Sequence, residues 1–340
     1  MIPFEYQSPS QLGQAASQID HDNTQAIAGG TTMVDLMKLN VLKPKRLVHV
    51  RAVLPSTVEQ KEGQLHIGAG CTMSDLADHP GGGNEFPVLR QALILAASPQ
   101  IRNMATLGGN LLQRTRSTYY RHVDMPIDGR PVDNFGEHVD SSHLALLGNG
   151  GRLVAMYPGD FANALVAFDG SLQLVGKDGS RTVQARSFYK QPRDSFQYTT
   201  DLRPGEILSE LRIPISESLR NSLYLKIRDR SSYAFALASA AIGLVVQDGS
   251  ITAAHVGLGG LGSIPWHSSE AEDALVGSSA TDATFQRAAD AALASAEPPT
   301  GLEFKVPLAK RTLVRALKIL RDNGPLNDQQ LWRFQHGRSA

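Results

Sequence analysis

Short apolar runs alternate with short amphipathic stretches through the first half of the chain. The runs that predict buried strands are AIAGG at 26–30, KRLVHV at 45–50 and QLHIGAG at 64–70. Between them, MVDLMKLN and TMSDLAD predict short helices, the second capped by Thr72. PVLRQALILAAS at 87–98 has apolar residues at helical spacing, with Pro87 at its start and Pro99 after its end. The alternation predicts an α/β arrangement.

The second half follows a different order. Strand-like runs come first, at 222–229, 235–247 and 250–260, and Asp-Gly between the last two predicts a hairpin turn. Helix-like segments follow at 268–277, 282–296 and 305–322. Strands followed by helices predict an α+β module with a three-stranded antiparallel sheet and a helix bundle.

The chain has 340 residues, and its regular strand and helix patterns give way to a partly irregular stretch near residue 177. Both features predict more than one domain. We predict a first domain at 1–176, a partly irregular connector at 177–220 that contains the strand ILSELRIPI, a second domain at 221–325 and a tail at 326–340. Within the first domain, segment 117–151 has no periodicity, which is typical of a functional or partner-covered loop.

Composition narrows the class of protein. The 33 basic residues balance the 33 acidic residues, so no long-range field favours nucleic acid. No apolar run approaches the ~18 residues that span a bilayer, and the N-terminus lacks the pattern of a secretory signal. We therefore expect no membrane insertion, and export only together with a partner. The single cysteine, Cys71, excludes an intramolecular disulfide and a thiolate-ligated cluster held by this chain alone.

Two Thr/Gly-Gly elements are candidates for binding phosphate. In the first, Gly29 and Gly30 allow close backbone approach, and Thr31 and Thr32 add hydroxyls beside the N–H groups of a helix start. The alternative is an ordinary strand-to-helix turn that one threonine caps.

The second element is IRNMATLGGNLLQRTR at 101–116, where Thr106 precedes Gly108, Gly109 and Asn110. Two such elements can hold a pyrophosphate from opposite sides through backbone N–H groups, which favours a dinucleotide. Gln113, Arg114 and Arg116 lie either against a ligand or partner or on a solvated surface.

Two other features have structural alternatives. Asp160 precedes a predicted helix in MYPGDFANAL and is either its N-cap or a carboxylate that binds ribose or ribityl hydroxyls, and the N-cap is favoured from the residues alone. GLGGLG at 257–262 has the spacing of a nicotinamide-binding turn, but Pro265 follows where a helix is required. We interpret it as a strand end that exposes backbone.

Five segments together resemble a known family. They are AGGTTMVDLMK, ATLGGNLLQRTR, YPGDFANAL, LYLKIRDRSSYAFAL and LAKRTL, in this order over nearly the entire chain. They look like the FAD-binding subunit of the molybdenum hydroxylases, which include xanthine dehydrogenases, carbon monoxide dehydrogenase and periplasmic aldehyde oxidoreductases. The motifs are most similar to those of the periplasmic aldehyde oxidoreductases. The resemblance implies an α+β fold: a two-part FAD-binding domain of the PCMH type, with subdomains at about 1–55 and 56–176, and a CO dehydrogenase flavoprotein-like C-terminal domain.

The resemblance also implies the residues of an FAD site. The first group would wrap the pyrophosphate and comprises Gln25, Ala26, Ile27, Ala28, Gly29, Gly30, Thr31, Thr32 and Met33. Thr106, Gly108, Gly109 and Asn110 would close the other side, and Asp160 would bind ribityl or ribose hydroxyls. Leu208 and Lys226 would flank the isoalloxazine. Without the resemblance, the residue type of Lys226 favours a surface position. Tyr233 is either near the ring or an ordinary tyrosine.

The chain departs from the aldehyde oxidoreductase subtype in one respect. There the loop after NLLQRTR carries cysteines that hold a [4Fe-4S] cluster, whereas here it begins STYY and contains no cysteine. We therefore predict no [4Fe-4S] cluster in this chain. A replacement metal site from His122, His138, His143, Asp124, Asp128 and Asp133 is disfavoured by the spacing.

The implied function is electron transfer. Electrons from a molybdenum cofactor in a large partner would pass through [2Fe-2S] clusters in a small partner to FAD here, and then to an external acceptor. No catalytic residue is predicted in this chain, and the location would be cytoplasmic, or periplasmic by co-export with a signal-bearing partner. The alternatives are a stand-alone FAD oxidase or reductase and a flavin-less structural subunit.

Overall fold

A computed structural model describes residues 1–20, 22–122, 141–191 and 199–335. The chain begins with a parallel three-stranded sheet in the order β1-β3-β2. Its elements are β1 (Glu5–Gln7), α1 (Leu12–Gln18), β2 (Thr24–Ile27), α2 (Met33–Lys38) and β3 (Arg46–His49). Ala15 and Ala16 of α1 pack with Val48, Val50 and Ile207 in a small core. Ala26 of β2 packs against this core. The core therefore holds β2 in place, and the Gly-Gly-Thr-Thr loop follows this strand.

The second layer is an antiparallel five-stranded sheet in the order β4-β5-β8-β6-β7. Its strands are β4 (Val58–Lys61), β5 (Gln64–Gly68), β6 (Ser171–Gly176), β7 (Gly179–Gln184) and β8 (Ile207–Pro214). Six short helices accompany it: α3 (Met73–Asp78), α4 (Pro87–Ile94), α5 (Pro99–Met104), α6 (Leu107–Leu111), α7 (Phe161–Ala167) and α8 (Ala185–Phe188).

The segment 177–220, predicted to be a connector, supplies two strands of this sheet. Residue 177 lies in the turn between β6 and β7, and β8 is the central strand, between β5 and β6. Leu211 and Ile213 of β8 are fully buried. Periodicity identifies the strand ILSELRIPI, but only tertiary pairing reveals that the sheet is built around it.

The C-terminal part contains an antiparallel sheet in the order β12-β11-β10-β9. The predicted three strands are β9 (Ser222–Ile227), β10 (Ala238–Gln247) and β11 (Ser250–Gly259), and the two-residue β12 (Trp266–His267) joins the edge. The helices are α9 (Glu217–Arg220), α10 (Ser269–Leu275), α11 (Asp282–Ala292), α12 (Lys305–Asn323) and α13 (Asp328–Gln335). This confirms the α+β class.

The predicted tail is partly integrated into the fold. Leu326 and Leu331 are buried, and α13 packs near β9. No helix in the described ranges has both the length and the apolar character needed to cross a bilayer.

The GLGGLG segment does not form a dinucleotide-binding turn. It ends β11, which pairs antiparallel with β10, and the next element is β12 rather than a helix. Gly257 and Gly259 instead allow α7 to approach, since a Cβ on Gly259 would lie 2.1 Å from Asn163 Nδ2. Gly257, Gly259 and Gly262 are buried, so these glycines serve packing, and the interpretation of the segment as a strand end that exposes backbone is wrong.

Candidate functional site

Two adjacent cavities lie where the two Thr/Gly-Gly elements meet. The first, of about 210 Å³, lies between the 25–33 segment and the start of β8. The second, of about 270 Å³, lies between α6, β9 and the 230–235 segment. Thr31, Thr32 and Gly109 line both, so the cavities meet at these residues. Every residue of the predicted FAD site lines one cavity or the other.

Gly29 brings the two elements into direct backbone contact. A Cβ at this position would lie 2.0 Å from the carbonyl oxygen of Met104, immediately before the 105–110 segment. Gly30 has φ of +73°, a conformation that glycine adopts without steric cost. Both glycines are therefore required by the local geometry, one for space and one for its dihedral angle.

The loop after β2 presents unsatisfied donors to the cavities. Within the described part of the chain, no protein acceptor takes a hydrogen bond from the N–H groups of Gly29, Gly30, Thr31 and Thr32. Thr32 precedes α2, but its side chain makes no capping hydrogen bond. The loop is thus more than a capped turn, because consecutive backbone donors remain available to an anion.

The second element is arranged differently. Gly108 N–H donates to the Ala69 carbonyl at 3.0 Å, and Gly109 N–H donates to Thr106 Oγ1 at 3.2 Å. The expected grip by backbone N–H groups from both sides is therefore not present, because this side uses its donors within the protein. Its glycines instead allow close packing, since a Cβ on Gly108 would lie 3.0 Å from Ala69 Cβ.

Asp160 occupies the N-cap position of α7, as predicted, but its side chain has other partners. Its side chain makes no capping bond to α7. Instead Oδ2 accepts from Lys226 Nζ at 2.7 Å, and Oδ1 accepts from the Tyr224 hydroxyl at 2.6 Å. Burial, followed by the Asp160 charge, raises the pKa of Tyr224 well above its ordinary value. The carboxylate is thus held in place by two side chains of β9.

Lys226 is a buried residue rather than a surface one. It is 2% exposed, and its Nζ also donates to the Leu95 carbonyl at 3.1 Å. Tyr224 was not predicted from the sequence. Tyr224 lies two residues before Lys226 on β9, so both side chains lie on the same face of the strand. This spacing is the sequence signal that could have identified Tyr224 as a neighbour of the site.

Two buried polar atoms on the second cavity have no hydrogen-bond partner in the described structure: Asn110 Oδ1 and Arg116 Nε. Arg116 and Arg121 both donate to Asp35 Oδ2, so two guanidinium groups share one carboxylate. Burial and then Arg121 lower the pKa of Arg116. Arg116 also lies 5.0 Å from the Phe235 ring centroid. The cavity therefore offers an unpaired acceptor, an unpaired donor and excess positive charge to a polar ligand.

Leu208 lines the first cavity and Lys226 lines the second, adjoining cavity. That both flank the isoalloxazine stays a prediction. Tyr233 lines the second cavity and is 53% exposed, and its φ of +51° is unusual for tyrosine.

The residues considered for a metal site lie mostly outside the part of the chain that the structure describes. His138, Asp124, Asp128 and Asp133 lie outside the described residues. In the described ranges, no group of three His, Cys, Asp or Glu side chains is placed to hold a metal ion. Cys71 is buried, and burial raises the pKa of its thiol to about 12. Sγ donates to the Thr72 carbonyl.

Family comparison identifies the class of protein. Residues 2–216 match the FAD binding domain in molybdopterin dehydrogenase, and residues 223–320 match the CO dehydrogenase flavoprotein C-terminal domain. The chain belongs to the FAD-binding medium subunits of the molybdenum hydroxylase family of oxidoreductases.

Particular relatives cover almost the whole chain. It is 35% identical to the aldehyde oxidoreductase FAD-binding subunit PaoB of Escherichia coli, over 93% of this chain and 98% of the relative. It is 27% identical to the carbon monoxide dehydrogenase medium chain of Afipia carboxidovorans, over 94% and 97% of the two chains. A solved structure of carbon monoxide dehydrogenase from Hydrogenophaga pseudoflava matches with a TM-score of 0.72 and 26% identity, covering 94% of this chain and 98% of that one.

Proposed function

We propose that this chain holds one FAD across both cavities and passes electrons through it within a heteromeric molybdenum hydroxylase. The observation that carries the proposal is the run of N–H groups from Gly29 to Thr32, which have no acceptor among the described residues and lie beside the junction of the cavities. A pyrophosphate lies between the two halves of a dinucleotide, and consecutive backbone donors bind its oxygens without a lysine.

The two cavities differ in a way that orients the cofactor. Aliphatic side chains such as Leu54, Leu202 and Leu208 line the first, which suits the adenine face. The second has Lys226, Arg116 and Arg230 around it, and cations stabilise the negative charge of a reduced flavin. We therefore place the isoalloxazine in the second cavity. Leu208 and Lys226 then lie at opposite ends of the cofactor.

Specific side chains would hold the flavin half. Asp160 Oδ1 and Oδ2 are acceptors fixed by Tyr224 and Lys226, and they suit ribityl hydroxyls. Asn110 Oδ1 supplies an acceptor and Arg116 Nε a donor, and neither atom has a hydrogen-bond partner within the described ranges. FAD supplies the redox chemistry, accepting electrons singly and delivering them in pairs, while the protein positions and tunes it.

The likeness to an aldehyde oxidoreductase subunit supports an assignment of the complex as an aldehyde oxidoreductase. We propose a large partner that carries the molybdenum cofactor and a small partner that carries [2Fe-2S] clusters, with electrons reaching FAD from the small partner. This chain then needs no general acid or base of its own. With Cys71 as its single cysteine, it holds no [4Fe-4S] cluster.

An absorption spectrum with metal analysis tests this proposal. We expect the complex to show a flavin that bleaches when aldehyde is added, and the separated chain to show FAD without iron. A colourless chain that FAD does not stabilise against heat would contradict the FAD assignment. Bleaching of the isolated chain by an organic donor would instead identify a stand-alone flavoenzyme. About four irons per isolated chain would contradict the absence of a [4Fe-4S] cluster.

A further inference from the structure

Gln91 of α4 is a buried amide whose two ends hold two different segments of the chain. It is 1% exposed. Its Oε1 accepts from the N–H of Tyr224 on β9 at 2.7 Å, and its Nε2 donates to the carbonyl of Leu326, between α12 and α13, at 2.9 Å. Gln91 lines neither of the two cavities. It can therefore affect a ligand in them only through its neighbours.

The two partners of the amide fix its orientation. A backbone N–H only donates and a backbone carbonyl only accepts, so the side-chain oxygen must face Tyr224 and the nitrogen must face Leu326. A methionine at position 91 would leave both backbone groups without this partner. A glutamate would place an ionised acceptor against the Leu326 carbonyl. The local geometry therefore requires an amide here.

Helix α4 holds β9 at two further points. Within the described ranges β9 pairs with β10 alone, and α4 packs against it. The Val88 N–H donates to Ser222 Oγ at 3.1 Å. The Leu95 carbonyl, just after α4, accepts from Lys226 Nζ at 3.1 Å. With the Gln91 contact, these bonds follow one face of the helix and alternate residues of the strand, so helix and strand are held in register.

Tyr224 connects the amide to the second cavity. Its N–H is held by Gln91, and its hydroxyl donates to Asp160 Oδ1 at 2.6 Å and lies 2.9 Å from Ser239 Oγ. The side chain is fully buried in a close-packed interior, so a displacement of its backbone displaces its hydroxyl. Asp160 lines the second cavity, and the proposed function assigns its carboxylate to the ribityl hydroxyls.

We propose that Gln91 is a positioning residue for the flavin half of FAD: it fixes Tyr224 and, through the Tyr224 hydroxyl, the Asp160 carboxylate. The inference rests on the proposed function, because it requires the ribityl hydroxyls to reach Asp160. None of these three residues lines the first cavity, where the proposed function places the adenine. Gln91 therefore acts on the flavin half of the cofactor and not on its ADP half.

The test is titration of the FAD-free full-length chain with FAD, followed by flavin fluorescence, and with ADP, followed by calorimetry. Gln91→Met keeps the length of the side chain and removes both of its polar ends. We expect its dissociation constant for FAD to rise about tenfold or more, and that for ADP to change less than about twofold. An unchanged constant for FAD, or an equal rise for FAD and ADP, would overturn the proposal.

Asn149→Leu is the matched control for lost stability. Asn149 is also a buried amide, 6% exposed, and its Nδ2 donates to the carbonyls of Ala145 and Glu297 at 3.0 Å and 2.8 Å. It lines neither cavity. We expect both dissociation constants to stay within about twofold of the wild type. A loss of FAD affinity equal to that of Gln91→Met would show that the effect is not specific to Gln91 and would overturn the proposal.

Tyr224→Phe keeps the inference testable if Gln91→Met does not fold. It removes only the hydroxyl and retains the ring and the backbone contact to Gln91. We expect FAD affinity to fall while ADP affinity is retained, and Gln91→Met added to Tyr224→Phe to weaken FAD binding by less than about twofold more. Wild-type FAD affinity in Tyr224→Phe, or full additivity in the double variant, would refute transmission through the Tyr224 hydroxyl.

Failure of the proposed function is seen separately, in the unmodified chain. If that chain binds FAD no more tightly than ADP, the flavin half is not held, and both the proposed function and the inference fail. If it binds FAD tightly and Gln91→Met binds it equally well, the inference alone fails.

Discussion

Lys226 and Asp160 form a buried ion pair with Nζ and Oδ2 2.7 Å apart, although 66 residues separate them in the chain. Their side chains are 1% and 5% exposed. The pair joins β9 of the C-terminal sheet to the start of α7, and both residues line the second cavity. The same contact therefore connects two parts of the fold and forms one wall of the candidate flavin site.

Replacement of Lys226 by methionine should destabilise the protein and weaken FAD binding. It leaves the Asp160 charge buried without its cation, which costs about 3–5 kcal/mol in comparable pairs. Urea denaturation of the FAD-free protein measures the stability, and fluorescence titration measures FAD affinity. Asp160→Asn combined with Lys226→Met should recover part of the stability.

A surface pair provides the control for this experiment. Lys318 and Asp282 lie 2.7 Å apart but are 42% and 58% exposed. Lys318→Met should change the unfolding free energy by only about 0–1 kcal/mol. Equal losses in Lys226→Met and Lys318→Met would show that the buried pair has no special role.

Gly29→Ala should distort the loop that faces both cavities. The new Cβ would lie 2.0 Å from the Met104 carbonyl oxygen, and displacement of this backbone should cost about 1–3 kcal/mol of stability. FAD affinity should fall with it, because the N–H groups of 29–32 move. Gly13→Ala is the matched control, since no atom lies within 4 Å of its added Cβ. Wild-type FAD affinity in Gly29→Ala would contradict the assigned role of this loop.

Lys305 should make stability rise in alkaline solution. It is 1% exposed and donates to the Gly260 carbonyl at 2.8 Å, and burial lowers its pKa from 10.5 to about 8 although Asp229 opposes the shift. Below pH 8 the lysine is protonated in both states, and the full cost of burying the charge is present. Between pH 8 and 10.5 only the unfolded state remains protonated, so the cost is progressively lost.

This cost corresponds to about 3 kcal/mol at most. We therefore expect the unfolding free energy of the wild type, relative to Lys305→Met, to increase by up to this amount across the alkaline interval. Urea denaturation of both proteins over a pH series is the measurement. A constant difference between them would show that the Lys305 pKa is ordinary.

Cys71 should resist alkylation in the native protein. Its thiol is 1% exposed and has a pKa of about 12, so little thiolate exists at neutral pH. Iodoacetamide labelling followed by mass spectrometry should be slow without denaturant and fast in urea. Because the chain has one cysteine, the label reports this position alone. Rapid native labelling would contradict the burial.

Local sequence patterns predicted where helices and strands lie more reliably than which of them lie side by side in the fold. The helix that starts at Pro87 and the strands at 222–227 and 250–259 follow from periodicity and turn residues. The place of β8 between β5 and β6 does not, because strand pairing depends on contacts between residues distant in the chain. Asp160 shows the same limit for a side chain: its residue type indicates a cap, while its partners lie on β9.

The sequence by itself determined the chemistry available to this protein: one cysteine, balanced charge, two Gly-Gly elements and an ordered set of family motifs. Only the tertiary structure decided which of these groups remain unsatisfied. Among the described residues, it leaves the N–H groups of 29–32 without protein acceptors and uses those of Gly108 and Gly109 internally. The physical reason is that hydrogen bonding and desolvation depend on which distant segments pack together, and residue type does not specify this.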